Sequence, residues 1–228
     1  MRTAVFFALS CASAAAALAQ GAVVPVVCPV DGNVFQFQLP PPATSRETYL
    51  DMRPVEPATA PWPHPKCPGN GFVLYKQTFS QSEIAELREF VFSDRYRSMV
   101  DVHSTRYLEA ALRRHMGESR YAVAWSLVQA TWEVSSDPVR YKQYAEEALA
   151  AYDAIPLDAL RESRHRVLKQ MVSGELARRL GRFESARERF LGMRDNPEFS
   201  TRFLQRIIEL QLKLIKSGDT GTHRTPYR

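Results

Sequence analysis

The chain changes character near residue 80, and that break constrains its fold more than any other feature. Before it lie most of the prolines and all three cysteines, among short alternating apolar runs. After it the chain is rich in Ala, Leu, Arg and Glu, with apolar residues at helical spacing. A 3.6-residue period puts apolar side chains on one helix face, whereas alternation suits a half-buried strand. The pattern predicts a mainly α fold: a β-containing head with a Pro-rich loop over 20–79, a helical domain over 80–216, and a polar, frayed tail over 217–228.

The helical part carries its own start signals. Ser80 with Glu83 reads as a capping box, and Ile84, Leu87 and Val91 follow as the first apolar stripe. Tyr107, Leu108, Ala111 and Leu112 mark a second helix. Tyr121, Ala124, Trp125, Val128 and Trp132 mark a third. Asp137 and Pro138 read as an N-cap and a first-turn proline, opening a helix whose buried face runs from Tyr141 to Tyr152. Three further stripes follow, through Val167–Leu180, Phe183–Met193 and Phe203–Ile215.

In the head, residues 33–39 alternate at period two and predict a strand. Pro40, Pro41 and Pro42 end it, since proline cannot donate to a ladder. A loop dotted with Pro54, Pro57, Pro61, Pro63 and Pro65 leads to Cys67, and residues 72–75 read as a second short strand.

The N-terminus bears on where the head folds. Arg2, the apolar stretch from Ala4, and the small-residue box Ala17-Leu18-Ala19 have the form of a secretory signal peptide over residues 1–19. Cleavage would leave about 209 of the 228 residues and the cysteines Cys28 and Cys67. Without Arg2 the charge is 29 basic against 25 acidic residues, a mild excess. No later stretch is apolar and long enough to span a bilayer. An exported, periplasmic or secreted protein with two cysteines is most simply disulfide-bonded. Export also turns the expected anionic partner away from nucleic acid, toward an envelope component or an acidic protein segment.

One helical stretch has an ordered motif: Gly174, Leu180-Gly181-Arg182-Phe183, Ala186, Phe190 and Pro197. It resembles one tetratricopeptide unit, in which the first glycine admits a close helix approach and the small and aromatic residues pack the second helix on the first. The resemblance implies helical hairpins that bind a protein or peptide partner on their concave face. Gln170 stands where the motif has tryptophan.

The head has a motif of its own. Cys-Pro-x-x-Gly occurs at 28–32 and again at 67–71, each before a strand-like run. A zinc knuckle is Cys-x-x-Cys-Gly, in which paired thiolates chelate the metal. Here Asp31 and Asn70 hold the second cysteine positions. With the Ala124-Trp125…Trp132 helix, these motifs make most of the chain resemble the bacterial domain-of-unknown-function family 2225. That family has two knuckles around a variable loop and then tetratricopeptide-like helices.

The resemblance implies a zinc-ribbon-like head with facing turns. Cys28 and Cys67 would then lie near bridging distance, closing a loop of about 40 residues worth about 3–4 kcal/mol. A competing reading keeps a zinc site from Cys28, Asp31, His64 and Cys67, with His64 three residues before Cys67. No other cofactor is implied.

No catalytic motif is present. The five histidines form no H-E-x-x-H pair, and there is no nucleophile elbow, Walker loop or dinucleotide loop. Asp101, His103 and Ser104 hold triad residue types, but read as a loop ending in a helix cap. The arginine-rich run 161–194 reads as a solvated helix face. The sequence thus points to a non-enzymatic interaction scaffold or adaptor. The alternative is a metal- or thiol-dependent enzyme, or enzyme accessory, using Cys28 and Cys67.

Overall fold

Regular helix begins where the composition changes. The computed structural model describes residues 21–40, 47–55 and 62–226. The leader reading of residues 1–19 lies outside the described residues, as do Pro41, Pro42, Pro57 and Pro61 of the loop.

Strand β1 (Val23–Val27) pairs antiparallel with β2 (Val34–Gln38), in the register Val23 to Gln38 and Val27 to Val34. The expected strand over 33–39 is therefore half of a hairpin. Pro25 is tolerated in β1 because each strand of a two-stranded ribbon keeps a free edge. The expected strand at 72–75 is reduced to one bridge, Lys66 to Val73. The facing segment carries Pro63 and Pro65, which cannot donate to a longer ladder. Phe72 and Val73 serve as core residues instead, both fully buried.

Eight helices follow among the described residues: α1 (Gln81–Val91), α2 (Asp94–Val100), α3 (Thr105–His115), α4 (Arg120–Glu133), α5 (Pro138–Asp153), α6 (Ser163–Arg179), α7 (Phe183–Arg194) and α8 (Arg202–Lys216). The Ser80–Glu83 capping box forms in both directions. Asp137 accepts the Val139 and Arg140 N–H groups at 3.1 Å each, with Pro138 at the first helical position. The sequence stripes do not mark α2. It is two turns long and buries only Tyr96, so it has no periodic face.

Among the described residues two apolar cores result. One joins Cys28, Cys67, Phe72 and Val73 of the head to Leu87, Val91, Tyr96, Leu108 and Leu112 of α1–α3. Tyr96 Oη donates to the Gly71 carbonyl at 2.9 Å and fixes α2 to the head. The other core runs through α4–α8, where packing is chiefly between helices adjacent in sequence. In the α6–α7 hairpin a Cβ on Gly174 would stand 2.6 Å from Phe190 Cζ, so these two helices approach closely there.

The C-terminal segment departs from expectation. Residues 219–225 are docked, not frayed. Leu50 N–H donates to His223 O at 2.9 Å, Thr225 N–H to Thr48 O at 2.9 Å, and Tyr49 bridges Arg224. The polar composition is matched by backbone partners in the head loop, which gives the segment an ordered place.

Candidate functional site

The two cysteine turns share one build. Cys28 N–H donates to Asn33 O and Gly32 N–H to Cys28 O, both at 2.8 Å. Cys67 N–H donates to Phe72 O at 2.8 Å and Gly71 N–H to Cys67 O at 2.9 Å. Gly32 and Gly71 sit at φ of 78° and 74°, a region that favours glycine. Gly71 is further constrained, since a Cβ there would lie 2.4 Å from Val100 Cγ1.

The turns face each other. Cys28 and Cys67 form a buried disulfide, with Cα atoms 5.7 Å apart. Asn70 Nδ2 donates to Asp31 Oδ2 at 2.7 Å and lies 3.5 Å from Cys28 Sγ. Each residue also caps its own turn: Asp31 Oδ1 accepts Asn33 N–H at 3.0 Å, and Asn70 Oδ1 accepts Phe72 N–H at 2.8 Å. The four knuckle positions meet as one covalent bond and one hydrogen bond.

The alternative zinc set of Cys28, Asp31, His64 and Cys67 is not assembled. The sulfurs are bonded to each other, Asp31 is held by Asn70, and His64 turns away toward α3. Among the described residues no three His, Cys, Asp or Glu side chains are grouped to hold a metal ion.

His64 belongs to a clamp between head and helix. Its backbone N–H donates to Thr105 Oγ1 at 3.1 Å, and its Nε2 stands 2.9 Å from Glu109 Oε2. Arg106 and Arg113 pair with the same carboxylate at 3.2 and 2.8 Å. Burial alone would raise the Glu109 pKa. The hydrogen bonds from His64 and Arg113 and the charges of His64 and Arg106 outweigh it and lower the value to about 2. The Arg106–Glu109–Arg113 spacing is legible as helix pairs. The third partner, 45 residues away, is not.

A second buried charge network closes the other end. Arg178 and Glu175 are 0% and 1% exposed. The guanidinium donates to both Glu175 oxygens at 2.8 and 2.9 Å, to Gln211 Oε1 at 2.9 Å, and to the Asp219 and Gly221 carbonyls. Gln211 Nε2 donates to Glu175 Oε2 at 2.7 Å. This network anchors the C-terminal segment to α6 and α8. The sequence shows the i,i+3 pair but not its burial.

The triad residue types at 101–104 are not brought together. Asp101 caps the end of α2, and His103 Nδ1 lies 2.9 Å from Tyr144 Oη while its ring stacks on Tyr107 at 4.0 Å. Ser104 stands at the N-cap position of α3, but its hydroxyl makes no cap hydrogen bond.

Sequence reasoning also misses a groove between α2 and α3. It encloses about 260 Å³ and is lined by Arg95 and Met99 of α2, Tyr107, Arg114 and His115 of α3, and Phe90 of α1. The Phe90 and His115 rings stack at 4.2 Å. Its residues come from three elements, and α2 is the helix that carries no periodic signal.

Fold and site together define a mainly α protein with a small β head stapled by a disulfide. No protein-family model, curated protein or solved structure matches this chain. Among the described residues no helix is long and apolar enough to cross a membrane.

Proposed function

We propose that this chain is an exported, non-enzymatic interaction scaffold whose helical domain binds a protein partner. The observation that carries the reading is how its chemically capable side chains are used. Cys28 with Cys67 and His64 with Glu109 each join distant parts of the chain, and Arg178, paired with Glu175, holds Gln211 and the Asp219 and Gly221 carbonyls. The resemblance to the knuckle family belongs to this proposal too, supported by the matching turns at Cys28 and Cys67. The disulfide fits an oxidising compartment, consistent with export.

In-cell photo-crosslinking tests the proposal. A photoreactive residue is placed in turn at exposed positions along α1–α8, and adducts are identified by mass spectrometry after fractionation. The expected result is a discrete protein adduct from the exported fraction, mapped to one helical face. Retention of the chain in the cytoplasm, or an absence of adducts from every position, sinks the scaffold reading.

A further inference from the structure

The arginines of this chain differ in how far acidic partners neutralise them. Those of the arginine-rich run are largely neutralised from within: Arg166 by Glu198, Arg182 by Glu146, Arg189 by Asp153 and Arg178 by Glu175. The sequence-level candidate for an anionic surface is therefore mostly spent. Arg88, Arg95, Arg97 and Arg114 differ. All four lie on α1–α3, and none makes an ion pair among the described residues.

Two of them, Arg95 and Arg114, line the α2–α3 groove, and His115 stands beside them. No acidic side chain lines it. The other two, Arg88 and Arg97, lie 5.9 and 5.5 Å from the Phe92 ring centroid, and that ring is 38% exposed. Guanidinium groups select carboxylates through paired N–H donors. The groove wall is aromatic, through Phe90 and Tyr107, and Met99 adds a deformable apolar contact.

We propose that the α2–α3 groove binds an acidic peptide segment of a partner protein. Arg95 and Arg114 take carboxylates, and the Phe90–His115 stack receives an apolar neighbour. The proposal rests on the scaffold reading and names its partner's chemistry. The groove's shape favours a peptide over a lipid surface. A recess of about 260 Å³ takes one or two side chains, whereas lipid binding favours a broad face with apolar residues to insert.

The test uses the full chain as purified and two fluorescein-labelled peptides, one of alternating Glu and Phe and one of alternating Gln and Phe. Fluorescence anisotropy should show the Glu peptide binding at least about tenfold more tightly, a difference of about 1.4 kcal/mol. Arg95→Gln with Arg114→Gln should remove that preference, while Arg187→Gln keeps it. These arginines are exposed, so unchanged thermal unfolding is expected and is checked for each variant.

Equal binding of the two peptides, or a preference that survives the double substitution, overturns the proposal. So does arginine-dependent sedimentation with phosphatidylglycerol vesicles in the absence of peptide binding. In-cell crosslinking from Met99 separates the two levels. Adducts elsewhere but none at Met99 reject the groove and keep the scaffold. No adducts from any position reject both.

Discussion

Asn70 donates a 2.7 Å hydrogen bond to Asp31 across the tips of two turns whose leading residues, Cys28 and Cys67, are covalently joined. In a four-cysteine knuckle pair these are the four ligand positions. In this chain a disulfide and a hydrogen bond stand at the positions where such a pair has four thiolates.

That relationship makes zinc binding recoverable. Asp31→Cys combined with Asn70→Cys, purified under reducing conditions, should hold one zinc per chain, because four thiolates then converge at fixed turns. Elemental analysis checks the stoichiometry. The unsubstituted chain under the same conditions should retain far less, since two thiolates are half a ligand set. Failure of the four-cysteine form to bind zinc would show that the turns are not placed as a knuckle pair.

The disulfide closes a loop with a sequence separation of 39. Its loss through Cys28→Ala with Cys67→Ala should destabilise the chain by about 4 kcal/mol in the chain-entropy treatment. Urea unfolding with and without reductant checks this. Reductant should lower the midpoint of the native chain and leave that of the double variant unchanged. If the scaffold reading holds, the variant that still folds keeps its crosslinked partner.

The legible parts of this fold are those set by neighbours in sequence. Ser80 with Glu83, and Asp137 with Pro138, declare their helices because cap chemistry acts over three residues. The Gly174–Phe190 approach is legible because motif spacing encodes it. Helix α2 is hidden because one buried residue, Tyr96, makes no period. The docked C-terminus is hidden because Thr225 meets Thr48 across 177 residues. The free and neutralised arginines look alike in sequence, since Asp153, 36 residues from Arg189, decides that arginine's state. The groove was illegible for both reasons.

Gly174→Ala tests the close approach in the α6–α7 hairpin. The new methyl would stand 2.6 Å from Phe190 Cζ, tighter than a methyl contact tolerates. Alanine improves helix propensity by about 1 kcal/mol, while overpacking costs about 1–3 kcal/mol. The aromatic ring is fully buried and has little room to retreat, so the net effect should be a loss of stability. Phe190→Leu in the same chain should reduce the additional cost of Gly174→Ala. A Gly174→Ala variant more stable than the native chain would show that the two helices separate freely.

Glu109 sets an acid limit on the head–helix clamp. Its folded pKa, about 2, lies below its ordinary value of 4.5. A depressed carboxyl pKa contributes stability that is complete above pH 4.5 and is lost as the pH falls toward 2. The contribution is of the order of 3 kcal/mol. Chemical denaturation across pH 6 to 2 should show this slope, and Glu109→Gln should flatten it. A profile identical in both proteins would remove Glu109 from the account.

Arg178 ties the C-terminal segment to α6 and α8. Fully buried, it serves Glu175, Gln211 and the carbonyls of Asp219 and Gly221 together. Arg178→Met strands the Glu175 carboxylate, and breaking a buried pair from one side costs about 3–5 kcal/mol. Glu175→Gln added to Arg178→Met removes the stranded charge and should recover part of that loss. The C-terminal carbonyls lose their donors in both variants. Hydrogen exchange at Thr225, whose N–H donates to Thr48 O, should therefore accelerate in both, even where global stability is partly restored. Exchange at Thr225 that recovers fully with stability would place the anchor of the segment in the backbone pairing alone.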